Sequence, residues 1–111
     1  MPDPLIQAGL RGTLAPELEA AFTGHKAVQR VRRVVKLPHH RSIRAAARAQ
    51  GIRDNTINSQ LKTVEQAVGY QIINRAIPLS VTTRGQAFIR DAEQVLQRLD
   101  ARITLADPRD R

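Results

Sequence analysis

Residues 42–69 read SIRAAARAQGIRDNTINSQLKTVEQAVG, and this stretch decides the fold of the 111-residue chain. Ser42 is a suitable N-cap for a first helix, and the alanines after it are small enough to let a second helix cross closely. Gly51 supplies the turn that ends this first helix. In residues 54–68 apolar side chains recur at steps of four, three and four, which makes one helical stripe: Ile57, Leu61, Val64 and Val68. The stretch therefore predicts a helix-turn-helix with residues 54–68 as its second helix.

The opposite face of this second helix is polar. At about 100° per residue it carries Asn55, Ser59, Lys62 and Gln66, with Asn58 at its edge. Such side chains can bond to base edges in the DNA major groove, so we predict that Asn55, Asn58, Ser59 and Lys62 read bases. Taken alone, the pattern fits equally well an αα-hairpin of some other small helical domain.

The charge of the chain is concentrated around this stretch. Residues 26–84 hold three Lys and nine Arg against Asp54 and Glu65, a balance of +10, whereas the remaining residues have a balance of −2. A basic central block indicates a polyanionic partner held by the middle of the chain. A basic surface without any such purpose is the alternative, and the position of the charge around a helix-turn-helix disfavours it.

Composition disfavours several other classes of protein. The sequence has no cysteine, which excludes disulfides and thiolate metal sites and fits a reducing compartment. No apolar run reaches membrane-spanning length and the N-terminus lacks the features of a signal peptide, so we expect a cytoplasmic protein with no membrane partner. The adjacent His39 and His40 cannot share one face as metal ligands, and His25 is isolated. Without a phosphate-binding loop or an activated nucleophile, we expect neither a metal, nor a cofactor, nor an enzyme.

The chain divides into three predicted parts: an N-terminal extension at 1–25, a DNA-binding domain at 26–82, and a linker helix with a polar tail at 83–111. We expect residues 1–12 to be irregular, 13–24 to form a short helix and 26–37 to form a valine-rich helix that Pro38 ends. Residues 70–75 and 79–82 predict a two-stranded ribbon of the size of a wing. Residues expected to contact phosphates, directly or from the wing, are Arg41, Ser42, Arg44, Arg53, Arg75, Ser80, Thr82 and Arg84.

Residues 83–105 predict a long C-terminal helix with a heptad-spaced apolar seam. We predict that this seam joins two copies of the chain, because a helix of this length overhangs a small domain. Its dimerisation residues are Ile89, Ala92, Leu96, Leu99 and Ile103. The alternative is a helix folded back on its own domain, to which Phe88 and Val95 could contribute.

The order of these motifs resembles the N-terminal domain of LysR-type transcriptional regulators. The match comprises a valine-rich helix, a Ser-x-x-x-Ala-Ala run from Ser42, Val-Glu before Gly69, Ile-Ile-x-Arg ending at Arg75, and Val-Thr-x-x-Gly ending at Gly85. It covers residues 28 to about 105. Three family positions differ: the Ser is Asn58, the Gln-Pro is Asp54-Asn55 and the Phe is Ile73.

The resemblance implies a mainly α fold, namely a winged helix-turn-helix with a short two-stranded wing and a long C-terminal linker or dimerisation helix. It also implies a sequence-specific transcriptional regulator that binds double-stranded DNA as a homodimer. Family members carry a ligand-sensing domain after the linker helix, and this chain carries no such small-molecule effector domain, so it is either an excised domain or a stand-alone relative. A winged-helix module that contacts an acidic protein partner is the alternative function, although such an interface favours aromatic or leucine side chains over the polar face of residues 54–68.

Overall fold

The computed structural model describes residues 3–106, with side chains to residue 101, and it is a mainly helical winged helix-turn-helix. The C-terminal tail and the side chain of Ile103 lie outside the described part. The α-helices are α1 (Pro4–Gln7), α2 (Pro16–Ala21), α3 (Ala27–Val35), α4 (Ile43–Gln50), α5 (Asp54–Val68) and α6 (Thr83–Ala106), and a 3-10 turn spans Leu37–His39. The wing consists of β1 (Ile73–Asn74) and β2 (Ser80–Val81). The predicted fold class is confirmed, and no helix within residues 3–106 is long and apolar enough to cross a membrane.

The helix-turn-helix forms as the sequence predicts. Ser42 is extended, and its Oγ accepts a hydrogen bond of 3.0 Å from the amide of Ala45, which caps α4. Gly51 ends α4 with φ of 68°, a left-handed conformation that glycine adopts without steric cost. The observed bounds of α5 are those predicted, and the four residues of its apolar stripe are buried.

The wing is an antiparallel pair only two residues long on each side, with Ile73 opposite Val81 and Asn74 opposite Ser80. Such a short ribbon is not stable by itself and depends on contacts with the rest of the domain. One contact is the amide of Leu79, which donates to the carbonyl of Arg41 at 2.8 Å. The wing is thereby attached to the segment that leads into α4.

The start of α6 is packed tightly against the segment before β1. The Thr82 hydroxyl donates to the carbonyl of Gln71 at 2.5 Å and accepts from the amide of Gly85 at 3.0 Å, so it caps α6. A Cβ added to Gly85 would lie 2.3 Å from the carbonyl oxygen of Ile72. In the Val-Thr-x-x-Gly motif, Thr82 thus caps α6, and Gly85 leaves the space that lets α6 approach the backbone of Ile72.

The apolar seam of α6 packs on its own domain. Ile89, Ala92, Leu96 and Leu99 are all buried in the core that they share with Phe88 and Val95. Their burial corrects the expectation of an open seam, because α2 and α3 already cover this face. Whether α6 joins two copies of the chain stays a prediction.

Arg32 of α3 also holds α6, through hydrogen bonds of 2.5 and 3.0 Å to the carboxylate of Asp100. The bond from Arg32 lowers the pKa of Asp100 and raises the pKa of Arg32. The two groups are partly exposed, so this pair positions the helix more than it stabilises the fold.

The N-terminal segment is more ordered than predicted. A short helix, α1, lies in residues expected to be irregular, because Asp3 accepts a hydrogen bond of 2.9 Å from the amide of Leu5 and Pro4 suits the first helical position. Leu5 is fully buried, and α2, which is shorter than predicted, packs against α5. Residues 3–24 thus contribute apolar side chains to the same core as the helix-turn-helix. The predicted domain boundaries at residues 25 and 82 stay predictions.

Replacing Gly85 with Ala should destabilise the fold by about 1–3 kcal/mol, because the new Cβ would push Ile72 away from α6. Helix propensity alone predicts the opposite sign, a gain of about 1 kcal/mol. Urea denaturation of Gly85→Ala measures this change in stability. Gln86→Ala, at the exposed neighbouring position, is the control. A Gly85→Ala protein as stable as wild type would show that the wing moves freely.

Candidate nucleic-acid interface

The outward face of α5 is a continuous polar strip. Asn55, Ser59, Lys62 and Gln66 are exposed, on the opposite side from the buried stripe that anchors the helix. Within residues 3–101 their side chains form no hydrogen bond or ion pair with the protein. A rigid helix therefore presents donors and acceptors that are free to bond to another molecule.

Asn58, at the edge of the strip, differs from its neighbours because it is half-buried and engaged. Its Oδ1 accepts a hydrogen bond of 3.2 Å from Nε of Arg75. The same guanidinium donates from Nη2 to Oε1 of Glu65 at 2.8 Å, which forms an ion pair. Arg75 thus links two residues that lie two turns apart on α5.

Glu65 completes this network on the side of the wing. Its Oε2 accepts hydrogen bonds from the amides of Ile72 at 2.8 Å and Ile73 at 3.2 Å. The carboxylate side chain is 12% exposed, so these bonds lie partly shielded from water. Glu65 therefore anchors the backbone before and within β1 to α5.

Three of the predicted phosphate-contacting side chains have roles inside the domain. Arg75 is engaged by Glu65 and Asn58, and its contact with phosphate stays a prediction. Thr82 uses its hydroxyl to cap α6 and to bond to the carbonyl of Gln71. The guanidinium of Arg84 stacks over the ring of Tyr70, 4.1 Å from the centroid, where burial raises the pKa of the Tyr70 hydroxyl.

The remaining predicted contacts stay available. Arg41, Arg44 and Arg53 are exposed at the start of α4 and before α5, and none forms an ion pair within residues 3–101. Ser80 is exposed on β2, and Ser42, although its Oγ caps α4, still has a hydroxyl hydrogen to donate. The free cations therefore flank the helix-turn-helix and do not lie on the wing.

Sequence reasoning missed two structural partners of this surface. Glu65 was matched to a family motif without a role, although it is one of only two acids among residues 26–84. A single acid close in sequence to the predicted wing, among many basic residues, could have indicated an ion pair inside the domain. Gln60 was also missed: its Oε1 accepts from Nη1 of Arg33 at 3.2 Å and joins α5 to α3.

Comparison with known proteins supports the fold. No family model matches the chain, and no curated protein matches it. Among solved structures it is similar to the full-length LysR-type transcriptional regulator LysG from Corynebacterium glutamicum, with 20% sequence identity and a TM-score of 0.61. The match covers 74% of this chain and 29% of that chain. The fold implied by the resemblance to LysR-type regulators is confirmed by this likeness.

Replacing Glu65 with Ala should lower the free energy of unfolding by about 2–3 kcal/mol, because two amides and a guanidinium lose their shared acceptor. Glu65→Gln should cost less, since an amide oxygen can still accept from the backbone. Urea denaturation measures both, with Glu93→Ala on the exposed side of α6 as the control. Equal stability of Glu65→Ala and wild type would contradict the anchoring role.

Proposed function

We propose that this chain is a sequence-specific double-stranded DNA-binding protein that acts in transcriptional control, with α5 placed in the major groove. The proposal rests mainly on the exposed polar strip of α5, whose side chains form no hydrogen bond within the described part of the chain. The opposite face of the helix is the buried apolar stripe, which fixes α5 to the domain. Side chains of this kind read base edges in the major groove, where each base pair presents a distinct pattern of donors and acceptors.

The charge distribution supports the same partner. Arg41, Arg44 and Arg53 lie beside the strip, exposed and without an ion pair in the described region, so they can neutralise phosphates on either side of α5. The regulator LysG, whose matched region has this fold, is a LysR-type transcriptional regulator. That likeness is one of fold, and the function of this chain rests on the exposed residues.

We also propose that the protein binds as a homodimer through α6. This 24-residue helix is about 36 Å long, and its buried seam is used inside the domain. Exposed positions of α6 at steps of four, three and four form a mainly polar line along which a second helix could lie: Arg90, Gln94, Gln97 and Ala101. Arg90, Gln94 and Gln97 also line a shallow groove whose other side includes Pro38 and Val81.

Affinity for duplex DNA should fall steeply with salt, by nearly one log unit per log unit of salt for each phosphate neutralised. Arg44→Ala should weaken binding equally on the best and on random duplexes and reduce this slope by about one. Lys62→Ala should cost about 1–3 kcal/mol on the best duplex and much less on random DNA, because Lys62 reads bases. Fluorescence anisotropy at several salt concentrations measures these quantities.

Arg98→Ala, which removes an exposed cation of α6, serves as the matched control and should change neither affinity nor slope. A salt-independent affinity would reject the DNA proposal in favour of an acidic or apolar protein partner. Equal losses for Lys62→Ala on both duplexes would show that Lys62 contacts phosphate.

The double substitution Gln94→Glu and Gln97→Glu should convert the dimer to monomers, because it adds like charges across the symmetric α6 contact. Both side chains are exposed, so the melting temperature should change little, whereas Leu96→Asp should unfold the core. Sedimentation equilibrium and thermal melts measure the two effects. A dimer that survives the double substitution would place the contact elsewhere, and a monomeric wild type would reject the homodimer.

A further inference from the structure

The side-chain amide of Asn58 is oriented from within the domain. Nε of Arg75 is a donor only, so the atom of Asn58 that faces it at 3.2 Å must be the acceptor, Oδ1. The amide nitrogen, Nδ2, then occupies the other branch of the planar group. No hydrogen bond from Nδ2 is present within the described residues, although Asn58 lies beside the exposed strip.

The orientation of Arg75 is itself held by Glu65. Asn58 and Glu65 are seven residues apart, which places them about 20° from each other around α5 and roughly 10 Å apart along it. The guanidinium spans this separation, with Nη2 on Glu65 at 2.8 Å and Nε on Asn58 at 3.2 Å. Because Glu65 is also bonded to the amides of Ile72 and Ile73, the wing backbone determines where the guanidinium lies.

We infer that Asn58 acts as a hydrogen-bond donor to the DNA and determines specificity for guanine at one base pair of each half-site, with Arg75 and Glu65 as its positioning residues. The inference rests on the proposed function, since it requires α5 in the major groove. It changes the prediction made from residue type alone, by which Asn favours adenine.

The chemistry of the bases gives the reason. A bidentate contact with adenine needs Oδ1 to accept from N6 while Nδ2 donates to N7. One of the two lone pairs of Oδ1 already accepts from Arg75, and the guanidinium beside it restricts the approach of a second donor to this oxygen. Guanine presents two acceptors, O6 and N7, at the same edge, which suits the unengaged Nδ2 donor group of Asn58. Cytosine presents a donor there and is therefore disfavoured.

The test begins with the best duplex selected by the wild-type protein. Single base-pair changes in this duplex, combined with Asn58→Ala, identify the pair that Asn58 reads. At that pair the wild type should prefer guanine over adenine by about tenfold. Arg75→Lys retains a cation for Glu65 but has no counterpart of Nε, so it releases Oδ1. We expect this variant to lose the preference, with a shift of about tenfold toward adenine.

Asn58→Asp provides a second variant that does not depend on altering the wing. It keeps an acceptor for Arg75 and removes both amide donors, so it should abolish the guanine preference while the fold is retained. The base pair read by Asn55 is the internal control. Asn55 is exposed on the same helix without contact to Arg75, so Arg75→Lys should leave the base preference at that pair unchanged.

The outcomes separate the inference from the function on which it depends. A wild-type protein that selects no sequence would reject the proposed function itself. A wild type that selects a sequence but prefers adenine at the pair identified by Asn58→Ala would overturn only the inference. An unchanged base preference in Arg75→Lys or in Asn58→Asp would also overturn the inference. A loss of affinity in Arg75→Lys that is the same at all base pairs would do so too, because that result is expected if Arg75 has only a structural role.

Discussion

The carboxylate of Glu65 is the contact on which the arrangement of wing and recognition helix depends. Its two oxygens accept hydrogen bonds from the amides of Ile72 and Ile73 and from the guanidinium of Arg75. One side chain of α5 therefore fixes the backbone at the start of β1 and also the side chain of Arg75, which directly follows β1. Hydrogen bonds to a charged group contribute more than neutral ones when they are shielded from water. A ribbon of two residue pairs has too few bonds of its own to keep this position.

The wing is held from its other end by the start of α6. There the hydroxyl of Thr82 and the missing side chain of Gly85 allow the helix to approach the carbonyl of Ile72. The contacts of the wing with α5 and with α6 meet at Ile72. Its amide donates to Glu65, and its carbonyl accepts a hydrogen bond of 3.0 Å from the amide of Thr82. The geometry of the wing is therefore coupled to α5 and α6 together, which explains why motif residues far apart in sequence belong to one structural unit.

The fold was largely predictable, because its main signals are local. The apolar stripe of α5, the Ser42 cap and the turn at Gly51 are each encoded within a few residues. The candidate site was less predictable, since Arg75 and Thr82 look like exposed polar residues until their distant partners are known. The packing of the α6 seam was not predictable for a similar reason: periodicity identifies an apolar face but not what covers it, and here α2 and α3 cover it. The order of residues 3–25 depends equally on burial of Leu5 in a core formed by later segments.

We propose that the outward strip of α5, together with the exposed arginines near it, is the surface that meets DNA. The most direct measurement is a titration of the ¹⁵N-labelled protein with a short duplex, followed by amide and side-chain chemical shifts. We expect the largest changes at Asn55, Ser59, Lys62 and Gln66, with smaller ones at Arg41, Arg44 and Arg53. Changes confined to α2 or to α6, with α5 unaffected, would contradict this proposal.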